Sequence, residues 1–321
     1  MEVNSRTLQQ LQLARSTEDC KEPVNALCFS EDCQLLLSSS DDSSLRVYSV
    51  VDEPRLCTQL ERPEGVNHLT ATHYTPAVLY ASSPANQPVV QYFDYHKERA
   101  IWTCREYTQR ITDLALSPTN DCFLSISAES RLLYSDLRQR RAVFHSDLPS
   151  AVGTAACAFD PAGLVFGLSY LEEGKTGVKL FDLRNLAQGP FRSAEFAGSG
   201  AVRSVEFSED GDCMLITTTG NKLLSLDALF LREKAWIDLC LPPDAESTAV
   251  FSACSKYLLS GSTASGNLHI YEVGSGKLVW RADRRGSVRA LAWSRKYVLL
   301  VAAAQGVDFW VPNLGNSGLK Q

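Results

Sequence analysis

No apolar run in this chain approaches the ~20 residues needed to cross a bilayer; the longest, Tyr297 to Ala304, has the length of one strand. Residues 1 to 19 contain no apolar core of a secretion signal. Basic charge is also sparse: the formal net charge is −6, and the longest basic cluster is Arg138-Gln-Arg-Arg141. Affinity for duplex nucleic acid comes largely from phosphate neutralisation by Lys and Arg, so direct binding of DNA or RNA is not expected. The small Arg cluster reads as a solvated loop between strands rather than a targeting signal. Ten cysteines are present without a single C-x-x-C pair, which disfavours a zinc site. Cys28, Cys157 and Cys254 lie on or beside apolar strands, where free cysteine acts as a small hydrophobe. The expected setting is a reduced, intracellular one.

Catalytic constellations are equally scarce. The five histidines, at 68, 73, 96, 145 and 269, form no H-x-x-H or H-E-x-x-H pattern, and no G-x-S-x-G elbow occurs. Gly261 with Gly266, and Gly274 with Gly276, fall in turns between strands and open no helix, so they are not phosphate loops. The acidic pairs Asp41-Asp42 and Glu172-Glu173 read as turn formers. The expectation is a protein without enzymatic activity, cofactor or metal.

What the chain does contain is a repeat. Seven short apolar strands end on Phe29, Ala71, Leu116, Phe159, Phe207, Phe251 and Trp293, at steps of 42, 45, 43, 48, 44 and 42 residues. A second marker closes a later strand of each unit, at Ser49, Asp94, Asp136, Asp182, Asp227 and Glu272, at steps of 45, 42, 46, 45 and 45. Two markers with one period, several strands per unit and no long helix predict an all-β, seven-bladed β-propeller of the WD40 type. One such domain occupies residues 1–321, with blades starting near 24, 66, 111, 154, 202, 246 and 288 and a frayed tail over 314–321.

The fifth unit shows the blade plan. VRSVEFS alternates apolar and polar, EDGD turns, CMLITTT is a buried middle strand, GN turns, and KLLSLD and EKAWID complete four strands. The last unit offers only SVRALAW, YVLLVAAA and GVDFWVP. Residues near 7 to 15, with Leu8, Leu11 and Leu13, are therefore expected to supply its outer strand, since an open ring leaves two sheet edges unpaired. The competing reading of that segment is an amphipathic helix, because Leu8 and Leu11 are three apart. No unit has a Trp-Asp pair and no Gly-His dipeptide precedes any unit. Apolar packing between blades then has to replace most of the hydrogen-bonded tetrad of WD repeats. Asp41 or Asp42 is the candidate structural turn aspartate, and Glu129 stands where the third unit would carry one.

The wording of the units resembles the Swd-two family, called WD-repeat protein eighty-two in animals. The likeness runs through LLLSSSDDSSLRVY (35–48), THYTPAVLYASS (72–83), ALSPTNDCFLSIS (115–127), FDPAGLVFGLSYLEEGKTGVKLFDLRNLAQGPF (159–191), FSEDGDCMLITTTGNKLLSLDA (207–228) and DFWVPN (308–313). It departs at Ser135, where family members tend to place Trp before Asp136. The resemblance implies a monomeric, non-catalytic nuclear scaffold within a hetero-complex. The complexes implied are COMPASS-type histone lysine methyltransferases, the polyadenylation machinery, or phosphatase-one assemblies in transcription termination. Some members recognise the phosphorylated tail of RNA polymerase II.

Propellers bind partners through the face made by first-strand starts and second-to-third turns. Asn25, Asn67, Arg203 and Arg289, each just after the opening aliphatic of its unit, are expected on that rim, with Arg110 close by. Guanidinium groups there suit a phosphorylated peptide; the plain alternative is pairing with Asp113, Glu206 or Asp283. A rival function rests on SDLR, with Asp136 and Arg138, and FDLR, with Asp182 and Arg184. These resemble the ending by which WD-repeat substrate receptors dock on cullin-RING ubiquitin ligases.

Overall fold

A computed structural model describes residues 3–51, 53–82, 88–139, 142–148, 154–197, 200–219, 222–239, 247–283 and 286–313. Seven four-stranded antiparallel sheets follow one another round a ring as blades 1 to 7. First strands are Val24–Phe29, His68–Ala71, Ile111–Leu116, Ala155–Phe159, Val202–Phe207, Ser247–Phe251 and Ala290–Trp293, each ending on its predicted pivot. The second marker closes the third strand of blades 1 to 6, from Ser44–Ser49 to Asn267–Glu272. The expected tail over 314–321, the sixth start at 246, and Arg140 and Arg141 lie outside the described residues.

The pivots recur because one turn recurs. Each is followed by a short polar residue: Ser30, Thr72, Ser117, Asp160, Ser208, Ser252 and Ser294. Six of these side chains accept from a backbone N–H of the turn: Ser30 from Leu35, Ser117 from Thr119, Asp160 from Val165, Ser208 from Cys213, Ser252 from Tyr257 and Ser294 from Tyr297. Thr72 instead donates to the Tyr74 and Ala77 carbonyls. This local side-chain bonding fixes the hairpin between first and second strands without help from the core.

Seven apolar clusters fill the ring, one at each seam between neighbouring blades. Middle strands are covered on both sides, which is why Leu258–Leu259 and Val298–Ala304 are continuously apolar and buried. The same double cover buries Arg46 completely on the third strand of blade 1. Asp42 compensates that charge: it accepts from Arg46 at 2.6 Å, from the Ser44 N–H at 3.0 Å and from the Ser44 hydroxyl. Burial alone would raise the Asp42 carboxyl, but these donors hold it well below the usual carboxylate range. Of the two turn aspartates, Asp42 makes the contact with the buried guanidinium. Glu129, in the corresponding turn of blade 3, accepts from the Thr108 and Ser127 hydroxyls.

First strands form the inner wall, where one edge of every sheet faces the channel. Two carboxylates span that gap between blades. Asp113 accepts from the Cys157 N–H at 2.7 Å and Glu206 from the Phe251 N–H at 3.0 Å, satisfying donors the sheet leaves open. Enclosure in the wall strips water from both and pushes their pKa values up to about 6 and about 7.

The ring closes where Leu11–Thr17 pairs antiparallel with Val307–Pro312, completing blade 7. The strand starts four residues later than expected and runs to 17, because Ser5–Leu8 form one helical turn capped by Asn4, whose side chain accepts from the Thr7 N–H at 3.0 Å. The helix reading holds for those four residues and the strand reading for the rest. Leu8 and Leu11 enter the seam with Leu268, Trp280 and Trp310. Gly306 is required at this closure: a Cβ there would lie 2.1 Å from the Thr17 carbonyl oxygen.

Removing residues 1–18 should lower the melting temperature by about 10 °C or more, since it strips two buried leucines and reopens a sheet edge; an unchanged melt would refute the closure. Asp42→Ala should cost about 3–5 kcal/mol by stranding a buried guanidinium, and adding Arg46→Met should recover most of it; equal losses in denaturant titrations of both variants would count against this coupling. For Glu206, the folded pKa lies above the unfolded one, so its contribution is present at low pH and lost as pH rises from about 4.5 to about 7. Glu206→Gln, which keeps an acceptor for Phe251, should therefore gain on the wild type in melting temperature across that window; a constant difference from pH 4.5 to 7.5 would exclude it.

Candidate partner-binding face

The five rim residues chosen from the sequence lie at one end of the ring. Asn25 and Arg203 occupy β-bulges, where the register slips between Val24 and Ala26 and between Val202 and Ser204. A bulge adds a residue to one strand and re-aims its side chain, which here turns both residues out of the sheet. Thr112 is the equivalent bulge residue of blade 3. Arg110 and Asn67 precede their first strands; the Arg110 carbonyl accepts from the Ala128 N–H, and the Asn67 N–H donates to the Ala81 carbonyl, both beside second-to-third turns. Arg110, Arg203 and Arg289 are exposed and Asn25 and Asn67 are partly so.

One carboxylate draws part of this set together. Asp41 accepts from the Asn25 amide at 2.8 Å and from Arg289 at 3.1 Å, so blades 1 and 7 meet over the seam that closes the ring. The Asn25 amide also donates to the Val66 carbonyl of blade 2 at 3.3 Å. The three carboxylates first considered as local partners are otherwise engaged: Asp113 and Glu206 in the inner wall, and Asp283 with Arg281 at 3.1 Å. Asp41 escaped a reading along the chain because its partner Arg289 is 248 residues away. Beside Arg110, His68 is held neutral: enclosure first, and then the Arg110 charge, lower its pKa to about 4.

The opposite mouth is tied differently. A cavity of about 360 Å³ opens there, lined by Cys28, Thr70, Glu206, Val250 and Trp293 among others. His73 bridges three blades, with Nδ1 3.1 Å from Glu31 and Nε2 3.0 Å from the Ser117 carbonyl. Although enclosure opposes its charge, these acceptors raise its pKa. Arg295 reaches Glu209 at 2.7 Å. No motif in the sequence sets His73 apart from the other four histidines. Among the described residues no group of three or more His, Cys, Asp or Glu side chains is placed to hold a metal.

Asp136 and Asp182 both end third strands, as the SDLR and FDLR strings imply. Asp136 accepts from the Arg138 N–H at 2.8 Å, while the Arg138 guanidinium pairs with Asp121 at 2.8 Å. Asp182 pairs with Arg184 at 2.6 Å, and that guanidinium holds its carboxyl down at about 2. Both arginines are thus engaged within their own blades at well-exposed positions.

The repeat family described as "WD domain, G-beta repeat" matches residues 12–49, which include the closing strand and most of blade 1. Over 98% of its length this chain is 30% identical to Protein ANTHESIS POMOTING FACTOR 1 of Arabidopsis thaliana, covering 95% of that protein. It is 26% identical to WD repeat-containing protein 82 of Drosophila melanogaster, over 95% of each. The COMPASS component SWD2 of Saccharomyces cerevisiae is also 26% identical, over 92% of each. A likeness that runs from the N-terminal closing strand through all seven blades leaves no part of the fold outside it, and the chain belongs to the SWD2/WD-repeat protein 82 family.

Proposed function

We propose that this protein is a non-catalytic WD40 scaffold in the nucleus, serving as a subunit of a Set1/COMPASS-type histone methyltransferase complex. The observation that carries the reading is the likeness, over 92% of each chain, to a relative named as a COMPASS component, joined over 64% of this chain by one named as a Set1 complex component. The fold suits the role, because a closed ring with seven packed seams presents several rigid surfaces at fixed separations. Phosphatase-one and polyadenylation assemblies are further hosts of the same scaffold.

The rim is the proposed docking site for a phosphorylated peptide, with the RNA polymerase II tail as its natural form. Arg110, Arg203 and Arg289 supply guanidinium groups, which bind phosphate in a bidentate manner, and Asn25 and Asn67 supply amides. The Arg289–Asp41 pair does not block this use. Both side chains are 44% exposed, and pairs of that kind are worth about 0–1 kcal/mol, less than a charge-assisted bond to phosphate.

Affinity purification of the tagged protein from nuclear extract, followed by mass spectrometry, should recover a Set1-type methyltransferase with its companion subunits. Recovery of a cullin adaptor in their place would overturn the scaffold reading in favour of a ligase receptor. With purified protein, substituting Arg203→Gln and Arg289→Gln together should weaken binding of a serine-phosphorylated polymerase-tail peptide about tenfold or more. Unchanged affinity would remove the rim from the mechanism.

A further inference from the structure

On the end of the ring opposite the rim, the turn between the third and fourth strands of blade 5 presents Leu229 and Phe230 outward, 54% and 50% exposed. The next residue, Leu231, is buried and takes a backbone φ of +54°, a region costly for a bulky L-residue. Asp227 fixes the turn by accepting from the Leu229 N–H at 3.1 Å and the Phe230 N–H at 2.7 Å. Local strain and a dedicated carboxylate thus hold two large apolar side chains in water.

Phe230 is flanked by cations from two blades. The Arg232 guanidinium lies 5.4 Å from its ring centre, and that of Arg192, from the fourth strand of blade 4, lies 5.3 Å away. Among the described residues neither arginine forms an ion pair, and the Arg192 Nε is buried with no hydrogen-bond partner. Phe191, next to Arg192, is 47% exposed. On a chain of net charge −6, two guanidinium groups from different blades around an exposed ring, offset only in part by Asp227 of the turn, make a local excess of positive charge.

We propose that Phe191, Arg192, Leu229, Phe230 and Arg232 form a second docking surface, for an acidic segment of a partner protein that carries an aromatic or large aliphatic residue. The apolar residue stacks on Phe230 and Leu229, and neighbouring carboxylates engage the outer nitrogens of Arg192 and Arg232. This surface uses none of the rim residues, so it stands whichever complex hosts the protein.

The test is fluorescence anisotropy with the full chain and a labelled peptide, Glu-Asp-Phe-Asp-Leu-Glu. Saturable binding is expected, on the order of 10–100 μM and weakened by salt. Phe230→Ser should weaken it about tenfold, and Arg192→Gln with Arg232→Gln should weaken it similarly and flatten the salt dependence. Phe191→Ser provides a second apolar variant should Phe230→Ser melt early. None of these should alter binding of the phosphorylated peptide at the rim. Absence of saturable binding by the wild type would overturn the proposal, as would equal binding by the variants. Binding to vesicles of phosphatidylserine and phosphatidylcholine without peptide binding would assign the patch to a membrane surface instead.

Discussion

The pairing of Leu11–Thr17 with Val307–Pro312 is the one contact on which the ring depends. Every other blade is built from a contiguous stretch of chain and can form by local hairpins. Blade 7 joins residues almost 300 positions apart, so its closure entropy is the largest in the fold, though such entropy grows only slowly with loop length. What offsets it is apolar burial at two seams at once. Leu8 and Leu11 complete the seam between blades 6 and 7, and Val307 and Phe309, on the strand they secure, pack into the seam between 7 and 1.

Closure also accounts for the division of polar labour. Because each middle strand is covered on both sides, several of its large polar groups have dedicated partners, while small hydroxyls such as those of Ser38, Ser39 and Ser260 are enclosed with no hydrogen-bond partner among the described residues. Arg46 has Asp42, Tyr107 meets Ser125 at 2.6 Å, and Tyr80 donates to Gln91 at 2.8 Å. The inner wall has the reverse problem, since its backbone donors face the channel with no strand beside them. Asp113 and Glu206 answer it, and their raised pKa values show what placing a carboxylate there costs.

The sequence made legible whatever repeats locally. Pivots, strand ends and the four-strand plan of the fifth unit could be read because period-two alternation and turn residues act over a few positions. The polar residue after each pivot was equally visible, and it explains the pivots better than their own hydrophobicity does. Partners far apart in the chain were not legible. Nothing in the run Leu45-Arg46-Val47 marks Arg46 as enclosed; the packing of the neighbouring blades does that. The choice between Asp41 and Asp42 depended likewise on which carboxylate met Arg46 and which met Arg289. For the first helical turn, the signal was Asn4 as an N-cap, short enough to be hidden inside a strand-like leucine pattern.

A ring of this kind has little means of transmitting a signal by changing shape, because every blade is packed against two others and the closing strand ties the ends. Its contribution to an assembly is geometric. The rim and the Phe230 patch lie on opposite ends of the ring, so the partners proposed for them would not compete for one surface. Of the rim guanidinium groups, that of Arg289 is held by Asp41 through a pair in which both side chains are half exposed. At blades 4 and 5, Arg192 and Arg232 flank the exposed Phe230 ring, and among the described residues neither forms an ion pair; the backbone strain of the turn lies in the buried Leu231 beneath them. The two faces thus differ in kind: one presents polar groups already cross-linked at the seam that closes the ring, the other an apolar ring set between cations, which favours partners of different chemistry at each.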